Sequence, residues 1–406
     1  MEFELNEQQS AIRTMVRKFA REYIKPITAE IDNIPDPKDS FPWEMFKAGS
    51  KLGLKTIGLP EKYGGHDEDL TTQIVVSQEL GYADAVCAKM FTICWRNSRL
   101  IYNAGTEEQR QRFLSEFRDD DTYIIAAGLT EAEAGCDNIL PYNEPDGGLR
   151  LSAVKKGDGY VLSGTKHFAS LGNVAKLFLI AARTDKSVGV QQGTSFFLVP
   201  RDVPGFSVDH VHNKFGLRAY TQAALVMEDV YLPKENLLGG VENVDAASQI
   251  VSGWGNLELG VHALSIMEVA YDAAFEYAKI RVQGGKPIIE HQVVASTLAD
   301  MYIRIETARG LIRNMVRLEN QQKSDRKAAI IAKVFNSESA VKVAIDALEM
   351  FGGSGVMKEL PLEKYVRDAL TFLHLDGTCQ VNRLKLGNML KAEGVPAGTG
   401  IPAGTS

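Results

Sequence analysis

The stretch Leu149-Arg150-Leu151-Ser152-Ala153-Val154-Lys155-Lys156-Gly157-Asp158-Gly159-Tyr160-Val161-Leu162 decides the fold class. Two short β-like runs, 149–154 and 160–162, flank a Gly-Asp-Gly break of the kind that turns a chain back on itself. Similar runs stand at 123–127, 177–182, 195–199, 206–211 and 223–230, several divided by breaks such as Asp146-Gly147-Gly148 and Val203-Pro204-Gly205. Seven short strands without intervening helices predict an antiparallel barrel or sandwich and argue against a doubly wound sheet.

On either side of this zone the period of the apolar residues becomes helical. Upstream, Asn6 with Gln9 makes a capping box, and Ile12, Met15, Val16, Phe19, Tyr23 and Ile27 follow at helical spacing until Pro35, Pro37 and Pro42 interrupt them. A second box, Thr106-Glu107-Glu108-Gln109, opens a helix that carries Phe113 and Phe117. Downstream, Leu257, Gly260, Leu264, Met267, Tyr271, Ala274 and Ala278 form one stripe, and segments 290–321, 326–351 and 379–391 behave alike. Four such helices predict a bundle. The expected organisation is therefore mostly α with a central β domain: a helical domain over 1–122, the β domain over 123–244, the bundle over 245–393, and a flexible tail over 394–406, where Pro-Ala-Gly-Thr occurs twice.

Composition narrows the function. Of 406 residues, 45% are hydrophobic and 24% charged, enough apolar matter for a core without metal or disulfides. The net charge of −7, with no basic stripe, argues against nucleic acid as partner. Cys87, Cys94, Cys136 and Cys379 contain no C-x-x-C pair, and the start of the chain lacks a basic flank and apolar stretch. No run approaches the ~18 apolar residues of a membrane span. These features lead to the expectation of a cytoplasmic protein without membrane association. His210 and His212 share one side of a strand, but no further ligand cluster accompanies them, so no metal site is expected.

Phosphate-binding fingerprints are absent: no G-x-G-x-x-G follows a strand, and no P-loop occurs. Gly352-Gly353-Ser354-Gly355 reads either as a helix C-cap or as a close backbone approach to a phosphate. Asp376-Gly377-Thr378 reads either as a turn or as part of a site. Four segments together resolve the matter. Leu129-Thr130-Glu131-Ala132-Glu133-Ala134-Gly135-Cys136-Asp137 resembles the L-T-E-P-x-A-G-S-D signature of the acyl-CoA dehydrogenase flavoprotein family, with Ala132 for Pro and Cys136 for Ser. Arg281 to Gln292 resembles its R-x-x-F-G-K-P-I-x-E-H-Q, with Gly284 for Phe; Phe351 to Gly355, and Arg367-Asp368 with Asp376 to Gln380, follow in family order. The resemblance runs from about residue 5 to residue 391.

It implies non-covalent FAD between the β domain and the bundle, with a second subunit completing the site of a homotetramer. Leu129 and Thr130 match positions at the isoalloxazine edge, and Phe168 and Ser170 stand where the family has Trp and Thr against the ring. Arg281 and Gln292 match contacts to a neighbouring subunit's FAD; Gly352 and Gly353 match the pyrophosphate approach, and Thr378 and Gln380 the adenosine side. Glu349 replaces a family Gln beside these glycines and brings a negative charge near phosphates, which weakens binding unless it is hydrogen-bonded elsewhere. Cys136, Gly377, Trp95 and Trp254 are candidates for substrate contact, although core packing explains the tryptophans, and Phe91, equally well.

The family base, a Glu before Gly-Thr, falls at Asp376. At the alternative family location stands Gly255, followed by Asn256 in place of Arg; Glu258, the nearest carboxylate, lies on another face of the helix. Shortening Glu to Asp withdraws the carboxylate by about 1.5 Å, which implies a substrate held closer, as a branched or alicyclic acyl-CoA of the cyclohexane or cyclohexene carboxyl type requires. Dehydrogenation with Asp376 as base, hydride transfer to the flavin N5 and an electron-transfer flavoprotein as acceptor is the expected function. The alternatives are another flavin reaction, hydroxylation or β-elimination, and a non-catalytic partner subunit.

Overall fold

A computed structural model describes residues 4–135, 137, 144–243, 253–323 and 325–394. Cys136 and the tail beyond residue 394 lie outside the described residues. The first helix, α1 (Glu7–Phe19), begins at the expected box: Asn6 Oδ1 accepts the Gln9 amide at 2.8 Å and Gln9 Oε1 accepts the Asn6 amide at 3.1 Å. Helices α2 (Trp43–Lys51), α3 (Leu70–Ala83) and α4 (Ala85–Ala104) complete the main N-terminal layer. Phe91 of α4 stacks on Phe46 at 5.1 Å and is fully buried, so it belongs to the core. The Thr106 box is also formed, opening a helical run to Asp119.

Among the described residues seven strands follow: β1 (Ile125–Gly128), β2 (Ser152–Lys156), β3 (Gly159–Ser170), β4 (Leu177–Arg183), β5 (Thr194–Pro200), β6 (Phe206–Val211) and β7 (Gln222–Pro233). Each coincides with one of the sequence runs, although β3 and β7 are longer. They make one curled sheet in the order β1-β4-β2-β3-β7-β6, with β5 added on β4. Most pairings are antiparallel, as expected, but β4 runs parallel to β1, Ile125 opposite Leu177, and to β2, Ser152 opposite Arg183. The long connection through β2 and β3 permits this, because parallel strands need a crossover that a hairpin cannot supply. All seven residues of β4 are buried, consistent with its central place.

The C-terminal layer contains α5 (Gly253–Ile280), α6 (Gln292–Asn320), α7 (Arg326–Met350), α8 (Leu362–Phe372) and α9 (Cys379–Glu393). Among the described residues it therefore holds one helix more than the four expected; α8 is short and lies between the glycine turn and Asp376. α5 packs on α7 within the bundle and on α3 and α4 of the N-terminal layer. One buried cluster joins all three parts. Lys364 of α8 donates to Asp368 at 2.6 Å and to Asp84, the N-cap of α4, at 2.9 Å, while Asp368 accepts the Leu217 amide of the β region at 2.7 Å. Arg367 adds a second link, to Asp32 at 2.6 Å and to the Phe215 carbonyl at 2.7 Å. These contacts tie together the three layers that enclose a cleft.

Candidate active site

A cleft of about 410 Å³ opens where the three layers meet. The loop after β1 contributes Leu129 and Thr130, the end of β3 contributes His167, Phe168 and Ser170, and the start of α5 contributes Gly255 and Asn256. α4 supplies Lys89, Ile93 and Arg96; the turn after α8 supplies His374, Leu375, Asp376 and Gly377.

Each wall is held by a local device. Glu131 clamps the loop after β1, accepting from Lys166 Nζ at 2.6 Å and from the Arg150 and Leu151 amides at 2.7 and 3.1 Å. Burial, only partly offset by Glu131, lowers the Lys166 ammonium to about 8. The His167 amide donates to the Thr130 carbonyl at 2.8 Å and docks that loop on β3. Phe168 then takes a φ of +55°, a conformation that L-residues avoid, and leaves its ring half exposed at the cleft.

Asp376 and Gly377 both have positive φ, +47° and +84°. Asp enters that region more readily than most residues, so the tight turn and the residue type agree. The Gly377 carbonyl accepts from Lys333 Nζ and from Asn382 Nδ2, each at 3.0 Å. Asp376 Oδ2 lies 2.6 Å from Arg96 Nη1. Burial alone would push its pKa up, but Arg96 and then Lys89 overcome this and hold it below the ordinary carboxylate value.

Behind the wall, Lys89 pairs with Glu258 Oε1 at 2.6 Å, and the Thr92 hydroxyl donates to the same oxygen. Glu258 is thus fully buried and outside the cleft lining, whereas Asn256 is part of it. Charged Lys89 and Arg96 were not singled out in the sequence. The signal was available: they lie two helical turns apart, on one face, in a helix otherwise largely buried.

The cleft brings together Leu129, Thr130, Phe168, Ser170, Asp376 and Gly377. It does not bring in the other candidates. Trp95 donates to the Leu54 carbonyl at 2.5 Å and faces Trp254 at 6.3 Å in the core, neither lining the cleft. Arg281, Gln292, Glu349, Gly352, Gly353 and Gln380 are exposed, and Thr378 caps α9 by accepting the Val381 amide at 3.1 Å. A Cβ added to Gly352 or Gly353 would meet open space. The Glu349 carboxylate has no partner among the described residues. His167, His210 and His212 gather with ring separations of 4.6–6.3 Å, but no group of three potential ligands fit for a metal occurs among the described residues.

The domain signatures of the acyl-CoA dehydrogenases match three consecutive stretches: the N-terminal domain over residues 6–120, the middle domain over 126–230 and the C-terminal domain over 247–390. This chain belongs to the acyl-CoA dehydrogenase family. An acyl-CoA dehydrogenase of Bacillus subtilis (strain 168) is 34% identical over 389 residues, covering 95% of this chain and 98% of the relative. A cyclohex-1-ene-1-carbonyl-CoA dehydrogenase of Syntrophus aciditrophicus (strain SB) is 33% identical, over 95% and 91%. Among solved structures, butyryl-CoA dehydrogenase from Megasphaera elsdenii superposes with a TM-score of 0.88 at 31% identity, over 96% of this chain and 100% of that one. A chain from work on the electron transferring flavoprotein of Acidaminococcus fermentans gives 0.86 at 34%, over 96% and 99%.

Acyl-CoA dehydrogenases are FAD-dependent, and the cleft suits the flavin end of that cofactor. The half-exposed Phe168 ring offers an aromatic face, and the Thr130 and Ser170 hydroxyls border the same space. The glycine cradle at Gly352 and Gly353 is open but stands apart from the cleft-lining residues. Among the described residues, no helix is long and apolar enough to cross a membrane.

Proposed function

We propose that this acyl-CoA dehydrogenase desaturates a compact acyl thioester between its α and β carbons, with Asp376 removing the α proton. The observation that carries this reading is the place of Asp376. Its carboxylate faces the cleft that also holds Phe168, Thr130 and Ser170, where flavin and thioester would meet. FAD, when bound, supplies the acceptor for the β hydride. Lys333 and Asn382 steady the turn that presents Asp376, and the short side chain favours an acyl group seated close to that turn.

Two features bear on the acyl skeleton. The likeness to the cyclohexene-acting relative, together with the short side chain of Asp376 in this chain, supports a branched or alicyclic group. Lys89 and Arg96 in the wall count against a purely hydrocarbon one. Electron-transfer flavoprotein is the proposed acceptor, supported by the Acidaminococcus likeness. A homotetramer is proposed because Arg281, Gln292, Gly352 and Gly353 face solvent and would reach FAD of another subunit; Ile280, Val282 and Val293, which adjoin Arg281 and Gln292 in sequence, are exposed apolar residues.

The test is anaerobic reduction of the purified flavoprotein with a panel of straight, branched and alicyclic acyl-CoA thioesters. Loss of the flavin absorbance with at least one of them is expected, and its loss should vanish in Asp376→Asn while FAD remains bound. A flavin that no thioester bleaches would overturn the proposal.

A further inference from the structure

Arg96 is poorly satisfied for a guanidinium in such a place. Its side chain is 11% exposed, and among the described residues it has one hydrogen bond, to Asp376, while its Nε is buried without a partner. A guanidinium has five N–H donors in a planar fork and pairs best with a carboxylate that accepts two of them. Among the described residues only Asp376 accepts a hydrogen bond from this guanidinium, and its other donors are left at the cleft.

Charge makes the deficiency sharper. Around the inner wall two cations, Lys89 and Arg96, balance two carboxylates, Glu258 and Asp376. Glu258 is bonded to Lys89 and reaches Arg96 only through its charge, so among the described residues Asp376 is the one carboxylate that Arg96 contacts. When Asp376 accepts a proton it ceases to be an anion, and Lys89 and Arg96 would be left to share the single charge of Glu258, an unfavourable arrangement for buried cations. A second anion brought in with the substrate removes that penalty. It also takes over the guanidinium, freeing Asp376 to act as a base.

We infer that the acyl group of the substrate carries a carboxylate that binds Arg96 beside Asp376. The inference rests on the dehydrogenase reading above and deepens it by naming a substrate class. Its length follows from the geometry. Arg96 Nη1 is 2.6 Å from Asp376 Oδ2, and a base lies about 3 Å from the atom whose proton it takes. The guanidinium is thus within about 6 Å of the α carbon, which places the carboxylate one or two carbons beyond it, given about 1.5 Å per C–C bond. Short diacid monothioesters of four or five carbons meet this requirement, whether the carbons between are straight or branched.

The experiment compares length-matched thioesters on the FAD-loaded enzyme: succinyl-CoA with butyryl-CoA, and glutaryl-CoA with valeryl-CoA. Equilibrium binding is measured calorimetrically, and anaerobic flavin bleaching is followed separately. The carboxylate member of a pair is expected to bind about ten- to a hundredfold more tightly, the range for a hydrogen bond to a charged group, and to bleach the flavin faster. Arg96→Gln should bring that ratio close to one, and Arg96→Lys should restore part of it, which separates recognition from a folding defect. Equal or tighter binding of the neutral members in the wild-type enzyme overturns the carboxylate assignment, and bleaching by those neutral members would leave the dehydrogenase reading standing. Tight binding of the diacid thioesters without bleaching by any thioester would instead support the carboxylate site and overturn dehydrogenation.

Discussion

Arg96 Nη1 lies 2.6 Å from Asp376 Oδ2, so a cation on a helix of the N-terminal layer holds the carboxylate that the C-terminal layer presents. The pair governs the pH dependence. Arg96 and Lys89 hold Asp376 below its ordinary value against the opposing effect of burial. A carboxylate depressed in the folded state adds stability above its unfolded pKa and loses it as pH falls through the folded one. In Arg96→Gln the burial effect has only Lys89, and more remotely Lys333, against it, so the acid limb of flavin reduction should move to higher pH. Single-turnover bleaching between pH 4 and 8 checks this, and an unmoved limb would show that another group titrates.

The Gly377 carbonyl receives two donors, Lys333 Nζ and Asn382 Nδ2. Lys333→Met removes one and loosens the turn that aims Asp376. A fall in kcat of roughly tenfold to a hundredfold is expected, because small misplacements of a reacting group have effects of that size. KM should change less. Steady-state kinetics with the best thioester decide the matter; a loss confined to KM would mean that Lys333 serves binding instead.

Lys364 neutralises Asp84 and Asp368, both buried. Replacing it with Met strands two carboxylates away from water and should destabilise the protein by about 3–5 kcal/mol. Scanning calorimetry would read the change as a lower melting temperature. Converting both aspartates to Asn in the same background should recover part of it, since amides carry no charge to bury.

Glu349 is exposed in the last turn of α7, where a negative charge opposes the helix dipole, and it immediately precedes the Met350-Phe351-Gly352 turn. Glu349→Gln should stabilise the helix end by about 0.3–1 kcal/mol. If FAD phosphates approach Gly352 as proposed, the variant should also retain FAD better on dilution, by a few-fold. Flavin fluorescence released over time measures it, and unchanged retention would place the phosphates elsewhere.

Much of the architecture was legible because it is written in local periodicity. The seven β-like runs became β1 to β7, and both capping boxes formed, since strand alternation and helix caps depend on residues a few positions apart. The parallel pairing of β1 with β4 was not legible, because nothing near Ile125 specifies that Leu177 will lie beside it. α8 was not legible because its eleven residues are too few to establish a helical period between the two turns that enclose them.

For the site, the sequence determined the family motifs and the residue types at Thr130, Phe168, Ser170 and Asp376, all of which the fold assembles around one cleft. Only the tertiary structure decided what faces Asp376. Lys89 and Arg96 come from a segment some 280 positions away along the chain in the case of the Arg96 bond, and the strength of a charge interaction depends on distance and burial, which no spacing in the sequence encodes. The aspartate identified from its motif thus became a carboxylate already engaged by a cation, and that engagement, more than its short side chain, defines what the substrate must bring.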